Sequence, residues 1–561
     1  MGNTVDRRTA LGLIAASGAV ACATPEQAAP SSAPGTVFRY GVASGDPGAD
    51  SIVLWTHVTA TGGDVRVQWQ LSEDAGFARI VKQDWALARA QGDHTVKVLV
   101  TGLAPGRTYF YRFQALEALS VVGRTRTLPV GHVERLGVAV VSCSNYAFGH
   151  FNAYDAIAKD PAVDIVLHTG DYIYEYGAGE WGDDVGEALG RRHQPPHEIV
   201  SLSDYRIRHA QYRSDPGAMA MFAMHPFVAC WDDHEVTNNP WMNGAQNHQP
   251  DTEGDYQVRR AGALQAYYEW LPIRDVGMAG GSDRREEFWR TYVFGELATL
   301  ITLESRHTGR DEQVSYREHF DRIRTAEDRD AFMRDVIGAS DRRMISARME
   351  AHLSASLRGS VAAGQPWRLI GNASPIARML VPSAIATEVD PTRRRGFSTE
   401  AAPEPDLLWT ARWNLPFYTD TWDGYPVARE ALYRLAHDAG AQDLIFLTGD
   451  SHSFWMNELF DASGARMGLE LGTAGVTSPG DFVETGWDQE TALRLDRLFE
   501  RELPEVVWTD NFNQGYVRLD LTPSAARAVF VAVDTVLTGD YRARTLKQTQ
   551  IVRTGGNVNY G

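Results

Sequence analysis

The segment Asp164-Ile-Val-Leu-His-Thr-Gly-Asp171 decides the fold, because it recurs as Asp443-Leu-Ile-Phe-Leu-Thr-Gly-Asp450. Both copies follow stretches with helical patterning, over residues 152–159 and 427–438. A helix followed by an apolar strand is typical of an α/β fold, and the glycine lets the chain turn sharply after the strand. The aspartate then lies at the carboxyl end of its strand, where open α/β sheets bind their ligands.

Two further apolar runs, residues 136–143 and 226–234, are also predicted to be strands that end on polar side chains. Taken singly, each terminal residue has a structural explanation as a turn, a cap or a core residue. Their occurrence at four strand ends favours a functional site. The four ends carry Cys143; Asp171; Asp232 or Asp233 with His234; and Asp450 with His452.

The residue types at these ends predict a centre of two unlike metal ions. Carboxylates suit Ca²⁺, Mg²⁺ or Mn²⁺, whereas thiolate and imidazole favour a transition metal. Tyr174 follows Asp171 by three positions, and a phenol becomes a ligand only beside a strong Lewis acid such as ferric iron. We expect Asp171 to bridge the two ions, a pair that generates hydroxide near neutral pH. The ligands expected from the residues are Cys143, Asp171, Tyr174, Asp233, Asp450 and His452.

The composition is that of a globular protein with an acidic balance. The chain has 561 residues, and 54 Lys and Arg against 72 Asp and Glu give a formal charge of −18. This charge argues against a surface that coats nucleic acid, because such binding depends on neutralising phosphates. It does not exclude a phosphate ester as substrate, since a bound metal can reverse the local field.

The patterning predicts two domains. Residues 37–130 contain short β-rich runs separated by Gly and Pro turns, which predicts an all-β sandwich. Residues 135–545 alternate strand-like and helical stretches, which predicts an α/β domain with a buried sheet.

The first 36 residues are predicted to export and tether the protein. Residues 1–24 carry Arg7-Arg8 and an apolar run that ends at Cys22 and is too short to span a bilayer. This pattern indicates a signal for the twin-arginine export machinery, followed by a flexible tether over residues 25–36. A lipoprotein box with lipid on Cys22 and a plain cleavage site at residues 19–21 both stay open. We expect a periplasmic or secreted protein whose only membrane contact is such a lipid anchor to the cell envelope.

The motifs together resemble those of the PhoD-type alkaline phosphatase/phosphodiesterase family, within the calcineurin-like metallophosphatases. The resemblance covers about residues 37–540. Its N-terminal part is carried by Val42–Pro47 and Val53–Thr56. Its metallophosphatase part is carried by Ser142–Asn145, Thr169–Glu175, Trp231–Val236 and Thr448–His452.

The resemblance implies an N-terminal all-β sandwich and an α/β calcineurin-like metallophosphatase domain, with β-sheets flanked by helices. It implies an exported phosphomonoesterase or phosphodiesterase that uses Fe³⁺ with one or two Ca²⁺ ions. His234, oriented by Glu235, would protonate the leaving alkoxide or stabilise the transition state, and Arg306 would clamp the phosphate bidentately. Carried over by motif, the iron site takes Cys143, Asp171, Tyr174 and His452, and the oxygen-rich site takes Asp171, Asp233 and Asp450 with Asn238.

Two positions depart from the family pattern, and several alternatives stay open. Glu304 stands where relatives have Asp, and Gly262 where they often have Asn, so a third metal site is left open. The sequence does not choose between Asp232 and Asp233, or between monoesters and diesters, and it does not give the natural substrate or the oligomeric state. Alternative functions are hydrolysis of phosphotriesters or sulfate esters, and a non-enzymatic envelope protein with a structural metal site.

Overall fold

The structure is a computed structural model that describes residues 37–395 and 406–561. The predicted export signal, the tether and Cys22 lie outside these residues. The helices of the described part include none that is both long and apolar enough to cross a membrane.

The described residues form twenty-four strands: β1 Val42–Gly45, β2 Ile52–His57, β3 Val65–Ser72, β4 Ile80–Ala88, β5 Thr95–Val100, β6 Thr108–Ala115, β7 Ala118–Leu119, β8 Gly123–Arg126, β9 Leu136–Val141, β10 Ile165–His168, β11 Phe227–Ala229, β12 Pro240–Trp241, β13 Gly244–Ala245, β14 Arg290–Phe294, β15 Ala298–Thr302, β16 Trp367–Gly371, β17 Leu444–Thr448, β18 Phe454–Phe460, β19 Arg466–Gly472, β20 Val506–Asp510, β21 Gln514–Leu521, β22 Ala526–Val533, β23 Ala543–Thr554 and β24 Asn557–Tyr560.

The same residues form fourteen α-helices: α1 Asn152–Lys159, α2 Asp183–Leu189, α3 Leu202–Arg213, α4 Pro216–Met224, α5 Pro250–Glu253, α6 Tyr256–Trp270, α7 Tyr316–His319, α8 Ala326–Phe332, α9 Ala347–Ala362, α10 Ile385–Glu388, α11 Leu407–Trp413, α12 Pro426–Asp438, α13 Asp481–Glu484 and α14 Gln489–Glu502.

Two mixed sheets form the framework of the molecule. The larger has ten strands in the order β24-β23-β22-β21-β9-β10-β11-β1-β2-β5, and β9, β10, β11 and β1 at its centre run parallel. The other has seven strands in the order β14-β15-β16-β17-β19-β18-β20, with β15, β16, β17 and β19 parallel. Parallel central strands place their carboxyl ends at one edge of each sheet.

The two sheets pack face to face through an apolar core. Val140 and Leu167 of the larger sheet share one buried cluster with Leu369 and Leu447 of the smaller. Alternate residues of the same strands, such as Val141, belong to a second cluster that includes α1 and α4. Because both faces are covered, the central strands are apolar along their whole length.

The repeated sequence unit supplies one strand to each sheet. The first copy forms α1 and β10 in the larger sheet, and the second forms α12 and β17 in the smaller. The predicted helices are confirmed at residues 152–159 and, one residue longer, at 426–438. The two copies of the repeat therefore lie in different, stacked sheets rather than in one.

The N-terminal strands are divided between two sheets. β1, β2 and β5 extend the ten-stranded sheet, whereas β3, β4, β6, β7 and β8 form a separate five-stranded sheet. Leu54 and Val96 from the first set share a buried cluster with Val67 and Phe113 from the second. These residues therefore form a sandwich that is continuous with the central sheet; the boundaries at 37–130 and 135–545 stay a prediction.

The glycines of the two Thr-Gly-Asp turns let neighbouring strand ends approach closely. A Cβ on Gly170 would lie 2.5 Å from the backbone nitrogen of Asp232. A Cβ on Gly449 would lie 2.6 Å from Cβ of Ser142 and 2.7 Å from Oγ1 of Thr169. The absence of a side chain at Gly449 therefore lets the loop after β17 pack directly against the loops after β9 and β10.

We expect Gly449→Ala to lower the free energy of unfolding by about 1–3 kcal/mol, because the added methyl group forces these loops apart. Gly359→Ala is the control, since its Cβ meets no atom within 4 Å and the residue lies in α9. This control should gain about 0.5–1 kcal/mol from reduced backbone freedom. Chemical denaturation measures both, and a stable Gly449→Ala protein would show that the loops are not tightly packed.

Candidate metal centre

Four strands from the two sheets bring the predicted ligands together. Cys143 follows β9, Asp171 follows β10 and Asp233 follows β11, which are neighbours in the larger sheet. Asp450 and His452 follow β17 of the smaller sheet. The ligand atoms lie within 4.8 Å of one another in three groups: Cys143, Asp171 and His452; Asp171, Asp233 and His234; and Asp232, Asp233 and Asp450.

The backbone at these strand ends adopts an uncommon conformation. Cys143 and Asp171 both have φ of 57°, Asp450 has 66° and His452 has 52°. This left-handed region costs a residue with a side chain of the order of 1–3 kcal/mol, and such strain is concentrated at functional sites. The surrounding sheets thus hold four candidate ligands in a conformation that the free chain disfavours.

Tyr174 lies inside the first group of ligands. Its hydroxyl donates to Oδ2 of Asp171 at 3.1 Å, lies 3.3 Å from Nε2 of His452, and accepts from Oγ of Ser478 at 2.9 Å. Nδ1 of His452 donates to the carbonyl oxygen of Pro479 at 3.1 Å, which leaves Nε2 as the lone-pair nitrogen that faces the group. Asp171 belongs to both this group and the next, as a bridging residue should.

One carboxylate oxygen of the second group makes no hydrogen bond. Oδ1 of Asp233 is buried and makes no hydrogen bond, while Oδ2 accepts from the backbone nitrogen of Asn239 at 2.9 Å. A buried oxygen of this kind is costly unless an ion or a donor meets it. Asp233 lines the cavity described below, as do Asn238 and Asp450. Asp232 is completely buried and contacts Arg306, so this arrangement favours Asp233 as the ligand.

A cavity of about 440 Å³ opens over these residues. Six carboxylates line it, and among the described residues of its wall there is neither Lys nor Arg. The full lining is Asp171, Tyr176, Trp181, Asp233, His234, Asn238, Asn239, Phe417, Tyr418, Asp420, Asp450, His452, Asp481, Glu484 and Thr485.

Burial and mutual repulsion raise the pKa values of the inner ligands. Burial, then the charge of Asp233, raises the pKa of Asp171 well above its usual range. Burial and the nearby Asp171 likewise raise the pKa values of the Cys143 thiol and the Tyr174 phenol. These groups stay deprotonated only if cations lie among them. The donor set therefore fits one ion with sulfur, phenol and imidazole ligands, and another with oxygen ligands.

His234 is held by Glu175. Its Nδ1 lies 2.6 Å from Oε2 of Glu175, and its Nε2 lies 3.8 Å from Oδ2 of Asp233. Burial alone would lower the pKa of His234, but Asp233, Glu175 and Asp171 raise it well above its usual range. Burial raises the pKa of Glu175, whereas His234 and further hydrogen bonds lower it to about 2. The carboxylate is therefore ionised beside the imidazole.

The expectation that Glu235 orients His234 is wrong, because Glu235 holds the backbone instead. Its Oε1 accepts from the backbone nitrogen of Tyr172 at 2.6 Å, and its Oε2 from that of Asp232 at 2.7 Å. One buried carboxylate thus joins the loop that carries Asp171 to the loop that carries Asp233.

Arg306 lies among carboxylates rather than on the cavity wall. Its side chain is fully buried, and it donates to Asp232 at 2.5 Å, Asp420 at 2.9 Å and Asp450 at 3.2 Å. The guanidinium therefore balances part of the negative charge of the cavity wall, at Asp420 and Asp450, and of Asp232 behind it. Its predicted contact with phosphate differs from this arrangement and stays a prediction.

The two positions that depart from the family pattern have structural contacts. Glu304 is buried and accepts from Nε1 of Trp231 at 3.1 Å and from the backbone nitrogens of Arg306 and His307 at 2.8 and 2.6 Å. Gly262 lies in α6, where a Cβ would meet the backbone nitrogen of Leu202 at 3.3 Å. Neither residue lines the cavity.

Several site residues were not singled out in the sequence analysis. Glu175 ends the Thr-Gly-Asp-Tyr-Ile-Tyr-Glu motif. A carboxylate that follows aromatic residues there was the available sequence signal. Asp481 and Glu484 lie in a short helix without a strand-end pattern, and Trp181 precedes α2. Their place in the cavity depends on long-range packing that one sequence does not display.

The chain is similar to proteins of known activity. The family model described as "PhoD-like phosphatase" matches residues 138–530, and "PhoD-like phosphatase, N-terminal domain" matches residues 21–129. The alkaline phosphatase D of Bacillus subtilis (strain 168) is 32% identical over 505 residues, which cover 88% of this chain and 76% of that protein. A solved structure described as "Structure of PhoD" has a TM-score of 0.74 and 29% identity, covering 95% of this chain and 93% of the other.

We expect Glu235→Gln to lower the affinity for divalent metal ions about 10–100-fold, because an amide can accept only one of the two backbone hydrogen bonds that join the loops. Calorimetric titration of metal-free protein measures this affinity. Asp215→Asn is the control, since Asp215 is buried and caps α4 through the backbone nitrogen of Gly217. The control should lose stability and keep its affinity for the metal; equal metal affinities in both variants would contradict the role of Glu235.

Proposed function

Because this chain belongs to the PhoD-like phosphatase family and is a phosphoric ester hydrolase, we propose that it hydrolyses phosphomonoesters and phosphodiesters in a metal-dependent reaction. The observation that carries the proposal is an acidic cavity in which metal-competent side chains from two sheets surround an imidazole. An anionic phosphate would be repelled by such a wall unless cations were bound to it.

We propose that Fe³⁺ and Ca²⁺ are these cations. Bound together, they would supply the Lewis acidity that activates a water molecule and neutralises charge on the phosphate. The buried Oδ1 of Asp233 without a hydrogen-bond partner and the lone-pair Nε2 of His452 support this choice of donors. The residues that would hold Fe³⁺ are Cys143, Asp171, Tyr174 and His452, and those that would hold Ca²⁺ are Asp171, Asp233, Asn238 and Asp450.

His234 has the position and the charge of a general acid. Its Nδ1 is committed to Glu175, so the proton that it can give up is on Nε2, near Asp233 at the cavity wall. The ionised Glu175 stabilises the imidazolium, which keeps this proton available at neutral pH. In the reaction the proton passes from Nε2 to the leaving alkoxide as its bond to phosphorus breaks. Raising the pH through the pKa of His234 removes this proton and should lower the rate.

Arg306 is proposed to position carboxylates. Its contacts with Asp232 and Asp450 hold one residue from each sheet on either side of a single guanidinium. Such charge-assisted hydrogen bonds are geometrically specific, because the fork of donors is rigid. A bidentate clamp on phosphate, as the family resemblance implies, would require Arg306 to exchange one of these carboxylates for substrate.

We also propose export by the twin-arginine machinery to the periplasm or the medium. The support is the Arg7-Arg8 pair with its following apolar run, in residues outside the described part. Anchoring through a lipid on Cys22 is an alternative processing route for the same segment.

A panel of nitrophenyl esters tests the proposed function. Protein reconstituted with Fe³⁺ and Ca²⁺ should hydrolyse the phosphate monoester or diester faster than the phosphotriester and the sulfate ester, and a chelator should abolish turnover. His234→Asn should lower kcat about 10²–10⁴-fold at unchanged metal content, because a positioned acid contributes that much. Turnover of no ester would favour a structural metal site; a preference for the triester or the sulfate would change the substrate class.

Tyr174→Phe tests the phenol as an iron ligand. Iron-loaded protein should absorb visible light through charge transfer from the phenolate, and the substitution should abolish that band. Tyr176→Phe is a matched control, because Tyr176 lines the same cavity and its ring centroid lies 6.4 Å from that of Tyr174. The control should keep the band; a coloured Tyr174→Phe protein would remove Tyr174 from the ligands.

A further inference from the structure

Arg213 in α3 is a buried cation that no carboxylate balances. Its exposed fraction is 0%, and none of the ion pairs formed by the described residues includes it. Nη2 donates to the carbonyl oxygen of Tyr40 at 3.1 Å, whereas Nε and Nη1 meet no acceptor among the described residues. A guanidinium keeps its proton at any ordinary pH, so it cannot escape this environment by becoming neutral. A buried charge without a partner is strongly disfavoured.

The other arginines that are buried to the same degree have an acceptor for every nitrogen. Arg259 and Arg306 pair with carboxylates. Arg208 and Arg310 donate from all three nitrogens to carbonyl, amide or hydroxyl oxygens. Arg213 is therefore the exception among the five described arginines whose exposed fraction is below 2%.

Two aromatic rings contact the guanidinium of Arg213 without accepting its hydrogen bonds. Its Cζ lies 4.1 Å from the ring centre of Phe222 and 4.7 Å from that of Trp55. Such contacts stabilise the positive charge in part. The N–H groups of a guanidinium point outward in its own plane, and a polar acceptor has to meet them there.

Arg191 shows how the chain balances a buried guanidinium of the same kind elsewhere. Its Cζ lies 3.7 Å from the ring centre of Tyr146, and its Nη2 pairs with Asp215 at 2.9 Å. A ring and a carboxylate together thus surround Arg191, whereas rings alone surround Arg213. The missing component at Arg213 is an anion.

The polar side chains beside Arg213 are hydrogen-bond donors without a negative charge. The Tyr172 hydroxyl lies against the guanidinium and makes no hydrogen bond of normal geometry. The His209 ring stacks on the Tyr172 ring at 5.9 Å, and neither of its nitrogens has a partner. Burial, and then the charges of Arg208 and Arg213, lower the pKa of His209 to about 3, so this imidazole is neutral and offers one N–H. A contact between Arg213 and the Tyr172 oxygen would satisfy one donor and would leave the positive charge unbalanced.

We propose that Arg213, Tyr172 and His209 bind a chloride ion in the interior of the protein. One negative charge balances the guanidinium, and the same ion accepts hydrogen bonds from the N–H and O–H groups around it. A water molecule would accept from these donors but would leave the charge unbalanced. A dianion such as phosphate would lose far more hydration energy, because all three side chains are completely buried and the cost of burying an ion rises steeply with its charge. The occupant is therefore small and monovalent.

The proposed ion lies behind the loop that carries the bridging ligand. Tyr172 directly follows Asp171, and its backbone nitrogen donates to Oε1 of Glu235 at 2.6 Å. Trp55 belongs to β2 and Phe222 to α4, so the ion would stabilise the packing of the N-terminal strands against the helices and this loop. Arg213, Tyr172 and His209 do not line the cavity, and the inference is independent of the proposed function.

The dependence of unfolding on chloride tests the site. Metal-reconstituted protein is unfolded with urea in sodium chloride, or in sodium methanesulfonate at equal ionic strength, whose monovalent anion is too large for a site of this kind. Above the dissociation constant, each tenfold rise in chloride should lower the unfolding equilibrium constant about tenfold, because one ion is released on unfolding. Equal stability in the two salts would overturn the inference.

Substitutions locate the ion. Arg213→Met removes the charge and keeps an unbranched side chain between the two rings, so it should abolish the dependence on chloride. Tyr172→Phe should weaken chloride binding about tenfold, because it removes one donor. Arg191→Met is the matched control: it loses the ion pair with Asp215 and some stability, and it should keep the dependence on chloride. A dependence that persists in Arg213→Met, as chloride binding at the metal centre would produce, would overturn the assignment.

Bromide locates the ion without any substitution. Crystals of the wild-type protein grown in sodium bromide should show a peak of anomalous scattering beside Arg213 and the Tyr172 hydroxyl, because bromide replaces chloride at the same donors. Water at that position, without an anomalous peak, would overturn the inference even where Arg213→Met fails to fold.

Discussion

Repulsion among buried carboxylates is the constraint on which the rest of this site depends. Burial and the neighbouring negative charges raise the pKa values of Asp171 and Asp450 well above their usual range. Arg306 offsets part of this charge, because it pairs with Asp232 behind the cavity and with Asp420 and Asp450 of the cavity wall. A buried charge without a partner costs several kcal/mol, so the arrangement is stable only when the carboxylates are protonated or bound to cations. The residue types at the surrounding strand ends favour the cation-bound state, because sulfur, phenol and imidazole are metal ligands.

The fold imposes this crowding and stabilises it through packing elsewhere. Two sheets meet with their parallel strand ends at one edge, and Gly170 and Gly449 remove the side chains that would keep the loops apart. Cys143 and Asp171 adopt left-handed backbone conformations at the same edge. The apolar residues between the sheets, and those under the helices, are buried across both faces. The packing of this apolar core therefore offsets the backbone strain at the site, and the core residues take no part in the reaction.

The sequence indicates those parts of the structure that local patterns encode. The repeated Thr-Gly-Asp unit predicted the strand ends, and the residue types predicted which side chains meet there. Periodicity could not show that β10 and β17 lie in different sheets, because both have the same apolar pattern. The partner of His234 was predicted wrongly for a related reason. Glu235 is its neighbour in sequence, whereas Glu175 reaches it from another loop. Asp481 and Glu484 carried no signal at all, since a four-residue helix has too short a pattern to indicate a site.

The inner and outer ends of the cavity carry ionisable groups with different roles. At the inner end, bound cations would convert the carboxylates of Asp171 and Asp233 from a repulsive surface into one that attracts phosphate. At the outer end, burial raises the pKa of Asp481 well above its usual range, so that Glu484 is the carboxylate of α13 that can carry a negative charge near neutral pH. The pKa of Glu484 rises to about 7 through burial, so this charge develops fully only on the alkaline side of neutrality. The outer wall therefore becomes more negative as the pH rises through neutrality, and an anionic ester is repelled there unless cations are bound deeper in the cavity.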